Sequence, residues 1–149
     1  MKILRGTPVI SSTLNTAPVS KGANISIWAA QVIGSALFLM SGAMKLFTPI
    51  PELAAMMPWA GEYSEGFVRF IGVVDLAGGL GLLLPSLTRI MPRLTVVAAA
   101  ACVLLQILAI LFHASRGEFE VLPLNVVYIG CALIVLWGRG RKAPITPRG

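Results

Sequence analysis

Charge is scarce in this sequence. Only 12% of its 149 residues are Asp, Glu, Lys or Arg, about half the share of a soluble domain. Cysteine is scarcer still. Two thiols, Cys102 and Cys131, fall in separate apolar runs far from a C-x-x-C spacing, which excludes a disulfide scaffold. The single histidine, with no cysteine pair near it, excludes a zinc site. The glycine cluster Gly78, Gly79 and Gly81 has no following G-K-[ST] and no strand before it, so it is no phosphate loop. No Ser-His-Asp set and no carboxylate pair can be drawn from residues at a common depth. The expectation is therefore of no catalytic residues, no metal and no enzyme acting alone.

What remains is apolar. Hydrophobic residues make up 56% of the chain, and the mean hydropathy of +0.84 places it in lipid. Four runs stand out: Ile25 to Phe47, Phe67 to Leu84, Leu94 to Phe112 and Val121 to Trp137. Each has the ~17–25 residues that cross ~30 Å of hydrocarbon as a helix. None alternates with period two, so strands are excluded. Pro85 and Pro92 are expected to bound the second loop, and Pro123 to sit in a first helical turn, where its missing N–H is harmless. The fold class is all-α, a transmembrane four-helix bundle.

Basic residues set the orientation. Lys2, Arg5 and Lys21 precede the first run, Arg89 and Arg93 lie between the second and third, and Arg139, Arg141, Lys142 and Arg148 follow the fourth. The opposite loops hold Arg116 with Glu52, Glu62, Glu65, Glu118 and Glu120. The positive-inside rule puts both termini of this multi-pass chain in the cytoplasm. The net charge of +6 then reflects topology and contact with anionic lipid, and no nucleic-acid partner is implied. Residues 1–24 lack a signal-peptide core and read as a disordered cytoplasmic tail. Residues 25–140 form the membrane domain, and 141–149 a short basic cytoplasmic tail. In the acidic 48–66 loop, Glu52 to Trp59 reads as one or two amphipathic turns, with Trp59 and Tyr63 as headgroup anchors.

Ionisable residues inside hydrocarbon are costly, which makes each a functional candidate. Lys45 and Arg69 lie near the outer ends of their runs, and Asp75 is about 12 Å deep at 1.5 Å per residue. Gln106, His113 and Asn125 also fall in the outer half; Gln31 alone lies in the inner half. Helical spacing groups them into stripes with small residues: Gly34-Phe38-Ser41-Lys45, Arg69-Gly72-Asp75-Gly79, Ala99-Cys102-Gln106-Ala109-His113 and Asn125-Tyr128-Ala132. Such stripes are packed faces. Asp75 is expected to pair with Lys45 or Arg69. Three readings stand: polar glue for the bundle, an outward-facing site for a quinone, proton or other small molecule, or a partner-docking surface. His113 by itself reads as a solvated interfacial histidine, and both cysteines as small core residues.

The residues also carry a resemblance. Phe38, Gly42, Lys45 and Leu46 match the F-x-x-x-G-x-x-K-L signature of the DoxX-like family. The stretch from Gly72 to Pro85 resembles that family's G-x-x-E-L-x-G-x-x-L-L-L-P, with Asp75 one methylene shorter than the usual Glu. His113, Asn125 and Gly138-Arg139 follow in order, so the resemblance spans about residues 27 to 140. It implies a small four-helix inner-membrane protein. The family takes its name from a subunit of a thiosulfate:quinone oxidoreductase. Other relatives belong to redox and thiol-stress complexes or act as membrane-protein chaperones. The family's cysteine chemistry does not carry over, because this chain has no outward-facing cysteine pair. The expectation is an auxiliary subunit of a membrane redox or quinone-linked complex, with a membrane or soluble redox protein, or a second copy, as partner. The alternative is a carrier or chaperone-like scaffold without chemistry.

Overall fold

The computed structural model describes residues 19–149; of the tail expected over residues 1–24, residues 1–18 lie outside the described residues and 21–24 are the first turn of a helix. Four long helices carry the fold: α1 (Lys21–Phe47), α4 (Glu65–Thr88), α5 (Arg93–Ser115) and α6 (Leu122–Trp137). Two short ones, α2 (Ile50–Met56) and α3 (Trp59–Glu62), fill the first connection. A 3₁₀ turn, Phe119–Val121, leads into α6, and a π-helical turn, Gly138–Lys142, extends it. The Ser20 hydroxyl caps α1 by accepting from the Ala23 N–H at 3.2 Å, so the helix begins four residues before Ile25. Ser64 caps α4 in the same way.

Pro85 does not end the second span. It lies inside α4, which continues to Thr88. A proline in a membrane helix is tolerated where neighbouring groups take up the freed backbone polarity; the missing N–H frees the Gly81 carbonyl, and beside it the Gln31 amide donates to the Leu82 carbonyl. The helix stops instead at Arg89, whose φ of 60° is left-handed.

The long helices form a ring in which α1 packs on α4, α4 on α5, α5 on α6 and α6 on α1. Directions alternate. Lys45 near the end of α1 meets Asp75 of α4, Ser86 near the end of α4 meets Thr95 at the start of α5, and Arg139 after α6 meets Asn24 at the start of α1. The start of α1, the α4–α5 loop and the end of α6 therefore share one end of the bundle, which also carries most of the basic residues. The Arg89 guanidinium reaches the Thr146 carbonyl at 3.1 Å, tying residues after α6 to that loop.

Inside the ring sit Phe38, Leu82, Ala99, Cys102, Tyr128 and Ala132. Phe38 and Tyr128 meet edge to face, with centroids 4.9 Å apart. The outer faces are apolar as well: Phe70, Val97, Leu108, Leu111 and Val126 are all exposed. Helices that are apolar all round, with their large side chains outward, belong in lipid. All four spans are long and apolar enough to cross a membrane.

The most extensive helix contact is α1 against α4. A methyl placed on Gly42 would lie 2.7 Å from the Gly72 carbonyl oxygen and 2.8 Å from the Leu76 nitrogen, so only glycine allows the backbones to approach this far. That approach brings the side chains of Lys45 and Asp75 within reach of each other.

Candidate functional site

Lys45 follows Ser41 by one helical turn on α1, and both face α4. The Lys45 Nζ lies 2.9 Å from Asp75 Oδ2, with the two side chains 9% and 6% exposed. The Ser41 hydroxyl donates to the same oxygen at 2.9 Å, and Lys45 also donates to Ser41. The result is a closed triangle of ammonium, carboxylate and hydroxyl within an apolar bundle. A buried ion pair is sustained only when further hydrogen bonds satisfy its free positions, and Ser41 supplies one.

Of the two bases expected near Asp75, Lys45 is the partner. Arg69 turns outward instead. Its Nη1 donates to the Lys45 and Thr48 carbonyls, while Nε and Nη2 hold Glu65 at 3.2 and 3.0 Å. Carbonyls in the last turn of a helix have no internal partner, so Arg69 caps the C-terminus of α1 and is linked to the ion pair through the Lys45 backbone.

His113 is not a solvated interfacial residue. It is half-buried, and its Nδ1 lies 2.6 Å from Glu118 Oε2. Glu118 is also bound by Arg116 Nε at 2.8 Å, and Arg116 grips both oxygens of Glu62 at 2.7 and 2.8 Å. This network closes the α5–α6 connection over α3. Contact with Arg116 holds the Glu62 carboxyl below its ordinary 4.5. Burial alone would raise Glu118, but the hydrogen bonds from His113 and Arg116 outweigh it and keep this carboxyl low too.

Trp59 departs from its expected place among the headgroups. It is 7% exposed and packs inward with Leu53, Ala60 and Val68, edge-on to Phe112 at 5.9 Å. α2 and α3 thus form a lid with its own small core, and Tyr63 stays largely exposed.

Gln106 and Asn125 reach neither the ion pair nor the outer network. Gln106 is 6% exposed. Its Oε1, an acceptor, and Asn125 Nδ2, a donor, are buried without hydrogen-bond partners among the described residues. Such atoms are uncommon in native proteins, since each retains its desolvation cost. The six candidates therefore divide into the Lys45–Asp75 pair with Arg69 beside it, His113 in the outer network, and two amides with free hydrogen-bonding capacity.

A second polar centre lies at the opposite end and was not foreseen. Gln31 Nε2 donates to the Leu82 carbonyl, and Gln31 Oε1 accepts from Arg139 Nε at 2.9 Å. Gln31 was visible as the one polar residue of the inner half. Arg139 was hidden by its position among other basic residues after the last span, where a charge ordinarily faces water. Cys102 is buried and Cys131 half-buried on different helices, both as free thiols. Among the described residues no three His, Cys, Asp or Glu side chains come together as metal ligands do.

A search among curated proteins found no match, and neither did one among solved structures. A scan against family models matches residues 29–136 to the DoxX-like family. That stretch runs from within α1 to the last turn of α6 and includes Lys45, Asp75, Gln106 and Asn125, so the chain is a multi-pass membrane protein that belongs to the DoxX-like family.

Proposed function

We propose that this protein is an auxiliary subunit of a quinone-linked redox complex, residing in the inner membrane with both termini cytoplasmic. Its outer half would hold the head of a lipid-soluble quinone. The observation that carries this reading is the pair of unpartnered amide atoms, Gln106 Oε1 and Asn125 Nδ2. A quinone carbonyl accepts a hydrogen bond, as Asn125 Nδ2 requires. A quinol hydroxyl donates one, as Gln106 Oε1 requires. One ligand in its two redox states matches both. The core residues on the same helix faces, Ala99 and Cys102 on α5 and Tyr128 and Ala132 on α6, are mostly apolar, as sites for such ligands usually are. In this reading Lys45, Asp75 and Arg69 fix the α1–α4 wall, and His113 anchors the outer end. The electrons would pass to and from a partner protein, since this chain offers two unpaired thiols, one buried and one half-buried, and no ligand cluster among its described residues.

The test is purification from native membranes under mild detergent. Quinone in the lipid extract above the membrane background, with a co-purifying oxidoreductase, is the expected result. The Lys45–Asp75–Ser41 triangle favours a second reading, because it is already satisfied and can hold α1 to α4 with no ligand. Under that reading the protein is a scaffold or chaperone-like partner. Quinone at background level, together with binding to a polytopic client, would decide for it.

A further inference from the structure

The second polar centre contains a charge without a counter-charge. Arg139 is 4% exposed, and every acceptor it reaches is neutral: Gln31 Oε1, Asn24 Oδ1 at 3.0 Å and the Ala143 carbonyl at 3.2 Å. Its Nη2 has no partner among the described residues. Buried charges are normally paired, because an isolated one is expensive to desolvate. This chain cannot supply a side-chain carboxylate there. Its six acids are Glu52, Glu62, Glu65, Asp75, Glu118 and Glu120. Asp75 is held by Lys45, and the other five lie in the connections or helix starts at the opposite end. Residues 1–18 contain no acid at all.

Arg139 also forms part of the wall of a cavity of about 410 Å³, within the range of small-molecule sites. Lys21, Asn24, Trp28 and Lys142 line it as well, and no acidic side chain does. The fold builds this wall deliberately. A methyl on Gly138 would lie 2.6 Å from Ile27, so glycine lets the end of α6 close on α1. The turn that follows is π-helical, closed by the Ala143 N–H to Gly138 carbonyl bond at 2.7 Å. Such turns are rare and often mark functional positions. The guanidinium stacks over Trp28 at 4.5 Å and the Lys142 ammonium over Trp137 at 5.2 Å. Tryptophans in spanning helices mark the headgroup level of the bilayer.

We propose that this cavity is a binding site for a phosphate group, with Arg139 as its buried anchor and Lys21 and Lys142 at its mouth. The phosphate would come from an anionic lipid headgroup or from free inorganic phosphate. Either supplies the missing negative charge, and a guanidinium with a free Nη2 is suited to phosphate oxygens.

The test uses the purified, delipidated full chain at fixed ionic strength, since surface attraction is screened by salt. Tryptophan emission is followed during titration with short-chain phosphatidylglycerol, short-chain phosphatidylcholine or inorganic phosphate. Saturable binding of phosphatidylglycerol and not phosphatidylcholine is expected. Phosphate that binds or competes identifies the free anion as sufficient; phosphate that does neither identifies the lipid headgroup; both outcomes support the site. The variant Lys21→Gln/Lys142→Gln leaves the Arg139 hydrogen bonds intact and should weaken binding by about tenfold. Arg93→Gln/Arg141→Gln removes the same charge from the same end outside the cavity and should leave affinity unchanged. Arg139→Gln should abolish binding where it folds, and the lysine pair decides if it does not. Absence of saturable binding to both phosphatidylglycerol and phosphate overturns the proposal, as does an equal loss in the two double variants.

Discussion

Lys45 and Asp75 are thirty positions apart in sequence, and their charged atoms are 2.9 Å apart. The contact exists because Gly42 lets α1 press against the backbone of α4. The ion pair and the helix crossing are therefore coupled: lose the close approach and the pair separates; lose one charge and the crossing buries an unmatched one.

Removal of one charge should cost more than removal of both. Lys45→Met or Asp75→Leu each leaves a buried partner unpaired, which typically costs about 3–5 kcal/mol. The double variant should regain most of that loss. Thermal unfolding of the three variants in identical bilayer discs measures it. A double variant no more stable than the weaker single one would mean that the pair is not the unit that matters.

Gly42→Ala tests the crossing itself. The added methyl meets backbone atoms at 2.7 and 2.8 Å, and backbone cannot rotate away as a side-chain end can. Overpacking of this kind costs about 1–3 kcal/mol. The same change at Gly130, where nothing lies within 4 Å, should be neutral. Equal stabilities for the two variants would contradict the close approach.

Acid should loosen the outer end first. Glu62 and Glu118 are held below their ordinary 4.5 by their bonds to Arg116 and His113. Groups with depressed folded values add stability above their unfolded values and lose it as pH falls through the folded ones. Protection of the Arg116 to Glu120 segment against hydrogen exchange should therefore hold down to about pH 4.5 and fall below it. Arg116→Gln should weaken that pH dependence, removing the Glu62 share and leaving only what His113 exerts on Glu118. A wild-type profile that stays flat through this range would count against the network.

The orientation is open to direct test. Reporter fusions after Gly117 and after Arg141 should report opposite sides of the membrane, the second cytoplasmic. The same side for both would contradict a fourth span.

The apolar runs, their number and the packed stripe on each helix were legible in the sequence, because length and helical period follow from composition and spacing. Gly34, Phe38, Lys45, Gly72, Asp75 and Gly79 are all buried as their spacing implied. Other features depend on three-dimensional neighbours. Spacing could not tell whether Asp75 takes Lys45 or Arg69, since both lie at suitable depth. The free carbonyls ending α1 draw Arg69 away. Trp59 looked like an interfacial anchor because tryptophan favours that level, but α2 and α3 fold into a lid that buries it. Arg139 looked solvated because it follows the last apolar residue, and only the π-helical turn carries it back into the bundle.

The most direct test of the quinone reading is the double variant Gln106→Leu/Asn125→Leu, compared with wild type for both stability and quinone retention. If the amides wait for a ligand, they are unpaired in its absence, and their removal should leave the ligand-free protein as stable as before or more so. Retained quinone should at the same time fall to the membrane background. If instead the variant is clearly destabilised while quinone retention matches wild type, the two amides hold the bundle together and the account of a quinone site is wrong.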